Sequence, residues 1–103
     1  MNIYKILVVD DDSEIRNAVI NLLNNENYIT VGAASGNEAL SILDNTYSLI
    51  ILDIMMPGMN GYQTCIEMRK NSNAPILFLS ARTKDSDKTL GFSSGGDDYL
   101  AKP

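Results

Sequence analysis

Histidine is absent from this 103-residue chain, and cysteine occurs once, at Cys65. Without an imidazole no thiol–imidazole catalytic pair can form, and a single thiol cannot close an internal disulfide. Cys65 falls within a helical pattern and reads as a small packed or partly exposed residue. Basic side chains are few and scattered: eight Lys and Arg against thirteen Asp and Glu leave a net charge of −5. No basic stripe is present to displace counterions from a phosphate backbone, so direct nucleic-acid binding by this segment is not expected. No signal peptide opens the chain and no apolar stretch approaches membrane-spanning length, so the expected setting is cytoplasmic, reducing and free of membrane. The length suits one domain built on one core, with no room for a second.

What is present is a series of short apolar runs separated by helical patterns. Lys5 to Val9, Tyr28 to Ala34, Leu49 to Leu52, Pro75 to Leu79 and Tyr99 to Ala101 read as strands. Between them, Ser13 to Asn24 has helical spacing with Ile15, Val19, Leu22 and Leu23 on one face, and Asp12 or Ser13 suits its N-cap. Ser35-Gly36-Asn37 reads as a turn before a helix over Glu38 to Leu43. Pro57 to Gly61 makes a turn-rich loop before a helix over Tyr62 to Lys70. Asp85 to Ser94 is a weaker helical stretch, because Gly91 and several Ser and Thr residues lower its propensity. Strands alternating with helices predict an α/β fold: a parallel sheet joined by crossovers and covered on both faces.

Three aspartates, Asp10, Asp11 and Asp12, follow the first run, and Asp53 ends the third. In an open α/β sheet, ligands bind at the carboxyl ends of the strands. With a flavodoxin-like strand order the first and third strands are neighbours, and their carboxylates crowd one crevice where repulsion must be relieved by protons or a cation. Mg²⁺ favours such oxygen ligands and could bridge them to a phosphoryl group, leaving one carboxylate to attack phosphorus. Ser80 and Lys102 fall at the same predicted edge, where a hydroxyl and an ammonium could hold phosphoryl oxygens. Taken singly, each has a plainer reading: helix cap, turn residue or solvated lysine.

The motifs Ile6-Leu7-Val8-Val9-Asp10-Asp11-Asp12, Leu52-Asp53-Ile54-Met55-Met56-Pro57-Gly58-Met59-Asn60-Gly61, Leu79-Ser80-Ala81-Arg82 and Gly96-Asp97-Asp98-Tyr99-Leu100-Ala101-Lys102-Pro103 occur in this order. Together they closely resemble the receiver domain of bacterial two-component response regulators, of the OmpR type. The resemblance implies a flavodoxin-like, doubly wound five-stranded sheet in the order 2-1-3-4-5. It implies Asp53 as acceptor of a phosphoryl group from a sensor histidine kinase, and Mg²⁺ held by Asp10, Asp11, Asp53 and the main-chain carbonyl of Met55. Ser80 and Lys102 would hold the phosphoryl oxygens, Ser80 and Tyr99 would form the conformational switch, and Lys102-Pro103 would be a cis peptide. Pro57 and Gly58 would shape the loop after Asp53, and Gly61 would assist the start of the helix. The output implied is control of transcription by a DNA-binding domain.

The expected domain is residues 1–103, stopping before the fifth helix that such receivers carry. An uncovered apolar sheet surface would follow, and with it self-association or a swapped arrangement. Two rival readings remain open. Asp10-Asp11-Asp12 also fits the opening of haloacid-dehalogenase-like phosphatases, with Asp10 as nucleophile. A phosphorylation-independent interaction module would keep only the fold.

Overall fold

The run Ile6 to Val9 has no polar side chain to present to water, so it can lie only where both faces of a sheet are covered. The computed structural model places it there: β1 (Lys5–Val9) is the second strand of a five-stranded sheet, and Leu7, Val8 and Val9 are wholly buried. The structure describes residues 3–80, 96 and 98–101. After β1 come α1 (Ser13–Asn25), β2 (Ile29–Ala33), α2 (Gly36–Ile42), β3 (Leu49–Asp53), α3 (Gly61–Arg69), β4 (Ile76–Ser80) and β5 (Asp98–Ala101). The order across the sheet is β2-β1-β3-β4-β5, with every pairing parallel. This is the doubly wound arrangement expected from the sequence. The helix expected over Asp85 to Ser94 lies outside the described residues, as does the Lys102–Pro103 peptide bond.

Alternation along the strands divides the core in two. Leu7, Val9, Ile50, Leu52, Ile76 and Phe78 face one side, where they pack with Tyr62, Cys65 and Met68 of α3 and Ala39 of α2. The ring of Tyr62 meets that of Phe78 edge-on at 5.2 Å between centroids. Ile6, Val8, Ile51 and Leu79 face the other side, with Val19, Ile20 and Leu23 of α1 packed against them. The stripe on α1 is therefore centred on Val19, Ile20 and Leu23. Leu22 lies off it, 65% exposed, because at about 100° per residue it falls on the far side of Val19 from Leu23 and Ile20. The uncovered apolar surface expected from the sequence does not extend to the centre of this face. Ile6, Val8, Ile51 and Leu79 are at most 5% exposed, and Leu49 and Leu77 are partly buried.

Local polar chemistry sets where the helices begin. The Asp12 carboxylate accepts from the N–H groups of Glu14 at 2.9 Å and Ile15 at 3.4 Å, so this aspartate is the N-cap of α1. Ser35, read as part of a turn, is in fact the N-cap of α2, its hydroxyl accepting from Glu38 N–H at 3.1 Å. Asn60 caps α3 reciprocally: its side chain accepts from Gln63 N–H, and the Gln63 side chain accepts from Asn60 N–H, each at 2.9 Å. Asn60→Ala should cost about 1 kcal/mol, read as a lower urea midpoint with unchanged slope.

Candidate functional site

Strand register brings the acids together. Val8 pairs with Ile51 and Val9 with Leu52, so Asp10 and Asp53 are the next residues along adjacent strands. Side chains alternate faces, and Asp10 continues the Ile6–Val8 row as Asp53 continues the Leu49–Ile51 row. Both rows point to the same face, so the two carboxylates converge beyond the sheet's end. Asp10 and Asp53 are fully buried, whereas Asp11 is exposed. Carboxylate oxygens of Asp10, Asp11 and Asp53 all lie within 4.8 Å of one another. Asp12 does not join them, because its side chain turns to cap α1.

The backbone holds this geometry from several directions. Asp10 N–H donates to the carbonyl of Ala33 in β2 at 3.1 Å, and Asp10 Oδ1 accepts from Asp12 N–H at 3.0 Å. Arg16 of α1 reaches back to donate from Nη1 to the Asp10 carbonyl at 2.7 Å. Across the crevice, Asp53 Oδ1 accepts from Met55 N–H at 3.4 Å. Ile54 N–H donates to Leu79 O at 3.2 Å, and Ile54 O accepts from Gly61 N–H at 2.9 Å. The loop after Asp53 is thus pinned to β4 on one side and to the start of α3 on the other.

Gly61 permits that second contact. A Cβ at this position would fall onto the Asp53 carbonyl oxygen and lie 2.7 Å from Ile54 Cα, closer than packed atoms approach. Gly58, three residues earlier, turns the same loop with φ of +73°, a conformation that side-chain-bearing residues rarely adopt.

The remaining residues singled out in the sequence are placed as follows. Met55 exposes its side chain, 68% accessible, so only its main chain faces the crevice chemistry. Ser80 ends β4 one residue beyond Leu79, the partner of Asp53, and so sits at the same sheet edge. Tyr99 lies in β5 opposite Phe78, and Ala101 is opposite Ser80. Lys102 lies outside the described residues. Arg16 is the residue that sequence reasoning passed over. Its signal was available: side chains on a helix tilt toward the amino end, so an arginine one turn after the Asp12 cap can reach the strand end before it.

Three carboxylates, two of them fully buried, form an all-oxygen donor set suited to a hard divalent cation. Carboxylates this close repel one another, and a divalent cation among them would offset that repulsion.

Comparison with known proteins agrees with this geometry. Residues 6–103 match the family described as response regulator receiver domain. The uncharacterized transcriptional regulatory protein YrkP of Bacillus subtilis is 48% identical over 100 residues, covering 97% of this chain and 43% of the relative. A transcriptional regulatory protein CpxR homolog of Haemophilus influenzae is 46% identical over 99 residues, covering 96% of this chain and 44% of the relative. The chain thus spans less than half the length of these curated relatives. Among solved structures, the chemotaxis protein CheY4 of Vibrio cholerae superposes with a TM-score of 0.93 at 33% identity, over 99% of this chain and 88% of that one. The response regulator TrrA of Thermotoga maritima, solved in complex with Mg²⁺-BeF, gives a TM-score of 0.86 at 35% identity, over 98% and 88%. With nearly its whole length matched and the acidic crevice at the expected sheet edge, the chain belongs to the response regulator receiver domain family.

Proposed function

We propose that this receiver is a phosphorylation-dependent switch in which Asp53 accepts a phosphoryl group from a sensor histidine kinase in a Mg²⁺-dependent reaction. The observation that carries the reading is the meeting of Asp10, Asp11 and Asp53 within 4.8 Å. Opposite ligands of a Mg²⁺ ion at about 2.1 Å are about 4.2 Å apart, so these oxygens need only small adjustment to share one. The TrrA relative, solved with Mg²⁺-BeF, supports the choice of ion. Asp10, Asp11 and Asp53 would hold it with the Met55 carbonyl, Asp10 largely through water. When bound, the ion neutralises the carboxylates and offsets charge on the phosphoryl oxygens.

Asp53 is buried at the end of β3, where little water competes for its oxygens. One of them forms the new O–P bond as the N–P bond of the donor phosphohistidine breaks. The departing imidazole keeps the bonding electron pair and takes a proton from solvent. Ser80 donates its hydroxyl to one phosphoryl oxygen, Lys102 pairs with another, and Tyr99 reorients as Ser80 moves. Converting a mostly inactive ensemble into a mostly active one takes about 5.5 kcal/mol, more than one hydrogen bond supplies, so these contacts act together. The chain is then its own substrate rather than a multiple-turnover enzyme. The output is control of transcription, in the cytoplasm and through a DNA-binding domain; the relatives named as transcriptional regulatory proteins support the first part of this reading. Self-association draws no support from the central residues of the α1 face, which are buried.

The test is incubation with acetyl phosphate and Mg²⁺, intact mass measurement and mapping of the acid-labile adduct. An adduct on Asp53 that disappears with EDTA is expected. An adduct on Asp10 would instead establish the phosphatase-like reading, and no adduct on folded protein would favour the inert module. Ser80→Ala and Lys102→Ala should leave Asp53 competent as an acceptor while weakening the conformational response, followed by NMR shifts on phosphorylation.

A further inference from the structure

We propose that Arg16 is a positioning residue for the cation site, acting through the peptide that joins Asp10 to Asp11. The inference rests on reading that site as a cation centre. Arg16 Nη1 donates to the Asp10 carbonyl at 2.7 Å, while the N–H of Asp10 is tied to Ala33 O at 3.1 Å and its Oδ1 accepts from Asp12 N–H at 3.0 Å. Burial fixes Asp10, whereas Asp11 is exposed. Its place is set by the plane of the 10–11 peptide, which is rigid, so whatever fixes the carbonyl of Asp10 also fixes the Cα of Asp11. Arg16 grips that carbonyl with a charge-assisted hydrogen bond at the short end of the range.

The route taken by the side chain supports a built contact. Arg16 crosses β2 over Gly32, where a Cβ would stand 3.1 Å from Ile20 Cδ1, 3.3 Å from Arg16 Cδ and 3.6 Å from Arg16 Nε. The bare backbone there leaves a lane for the arginine stem between α1 and the end of β1.

Two effects of Arg16 on a divalent cation have opposite signs. Its charge repels the ion, so removing the charge alone would tighten binding. Its hold on the 10–11 peptide orders the ligands, so removing that hold weakens binding. Residues that orient metal ligands commonly change affinity 10- to 100-fold, that is by roughly 10¹ to 10².

The experiment is Mg²⁺ titration by calorimetry on wild type, Arg16→Met and Gly32→Val, with amide exchange of Asp12 measured by NMR in the metal-free proteins. Methionine keeps the apolar stem over Gly32 and loses the bond. About tenfold weaker Mg²⁺ binding and about tenfold faster Asp12 exchange are expected, with a lower urea midpoint from the lost hydrogen bond but a cooperative transition of unchanged slope. Unchanged or tighter binding in folded Arg16→Met overturns the proposal. Gly32→Val fills the lane while keeping the guanidinium charge. It is read by the same criterion should Arg16→Met not fold: about threefold or greater weakening supports the role, and wild-type affinity overturns it. If wild type itself binds no Mg²⁺, the cation reading fails. The metal-free exchange of Asp12 then decides the role of Arg16 by itself, and an unchanged rate overturns it.

Discussion

Asp53→Asn should abolish the acid-labile adduct formed with acetyl phosphate and Mg²⁺, with the loss limited only by detection. The amide is nearly the shape of the carboxylate but carries no anionic oxygen, so it can neither attack phosphorus nor neutralise a cation. The position tolerates the change structurally, because Asp53 ends β3 and its Oδ1 accepts from Met55 N–H, a bond that an amide oxygen can also accept. Removing one of three crowded carboxylates also relieves repulsion in the metal-free protein. Chemical competence should therefore vanish while thermal stability without Mg²⁺ holds or rises. Intact mass and a melting curve on the same sample check both halves. Persistent labelling that maps to Asp10 would overturn the assignment, since Asp10 is the other fully buried acid in the crevice.

Gly61→Ala should lower stability by about 3 kcal/mol or more, large for the addition of one methyl group. The added carbon would meet the Asp53 carbonyl and Ile54 Cα, which is backbone held by hydrogen bonds to Leu79 and to residue 61 itself. Nothing there is a flexible side-chain end that could swing away. Gly58→Ala is the informative contrast. No atom lies within 4 Å of a Cβ at Gly58, and its cost is only that of holding φ near +73°, about 1 to 2 kcal/mol. Urea titration of both variants should show the larger midpoint loss at Gly61. The alanine at 61 should also reduce Mg²⁺ affinity, because relief of the clash must push the Asp53 loop away from α3. A smaller loss at Gly61 than at Gly58 would contradict the close approach.

Strands were the most legible part of this chain, because a strand covered on both faces must be written as an unbroken apolar run. Boundaries were less so. Ser35 looked like a turn residue because a serine before Gly-Asn satisfies turn chemistry as well as helix capping, and only Glu38 three residues later distinguishes the two. On α1, Ile15, Val19, Leu22 and Leu23 formed a credible stripe. Ile20, partly buried, packs against the sheet instead of Leu22, a choice that depends on how the helix rolls against the sheet. The acidic crevice was readable only conditionally. Composition placed carboxylates at two strand ends, but their convergence required β1 and β3 to be adjacent, and strand order is a tertiary property. The role of Asp12 could be anticipated from capping chemistry. That of Arg16 was legible only in part: helix geometry gives its reach toward the end of β1, but the room for its stem over Gly32 belongs to a different strand.

The strand order has a consequence for how the molecule comes into being. β1 is first in the chain, yet its two neighbours arrive one after the other: Ile6 pairs with Thr30 and, much later, with Leu49. Among the described strands no hairpin offers a local shortcut, since their pairings are all parallel. During synthesis β1 must wait, half-paired, until β3 has emerged, and such non-local closure slows folding. The pairing that ends this wait is also the one that sets Asp10 beside Asp53. A nascent chain therefore exposes its apolar first strand before it can assemble its acidic crevice, and on the proposed reading a divalent cation would favour completion of the sheet by binding only the finished product.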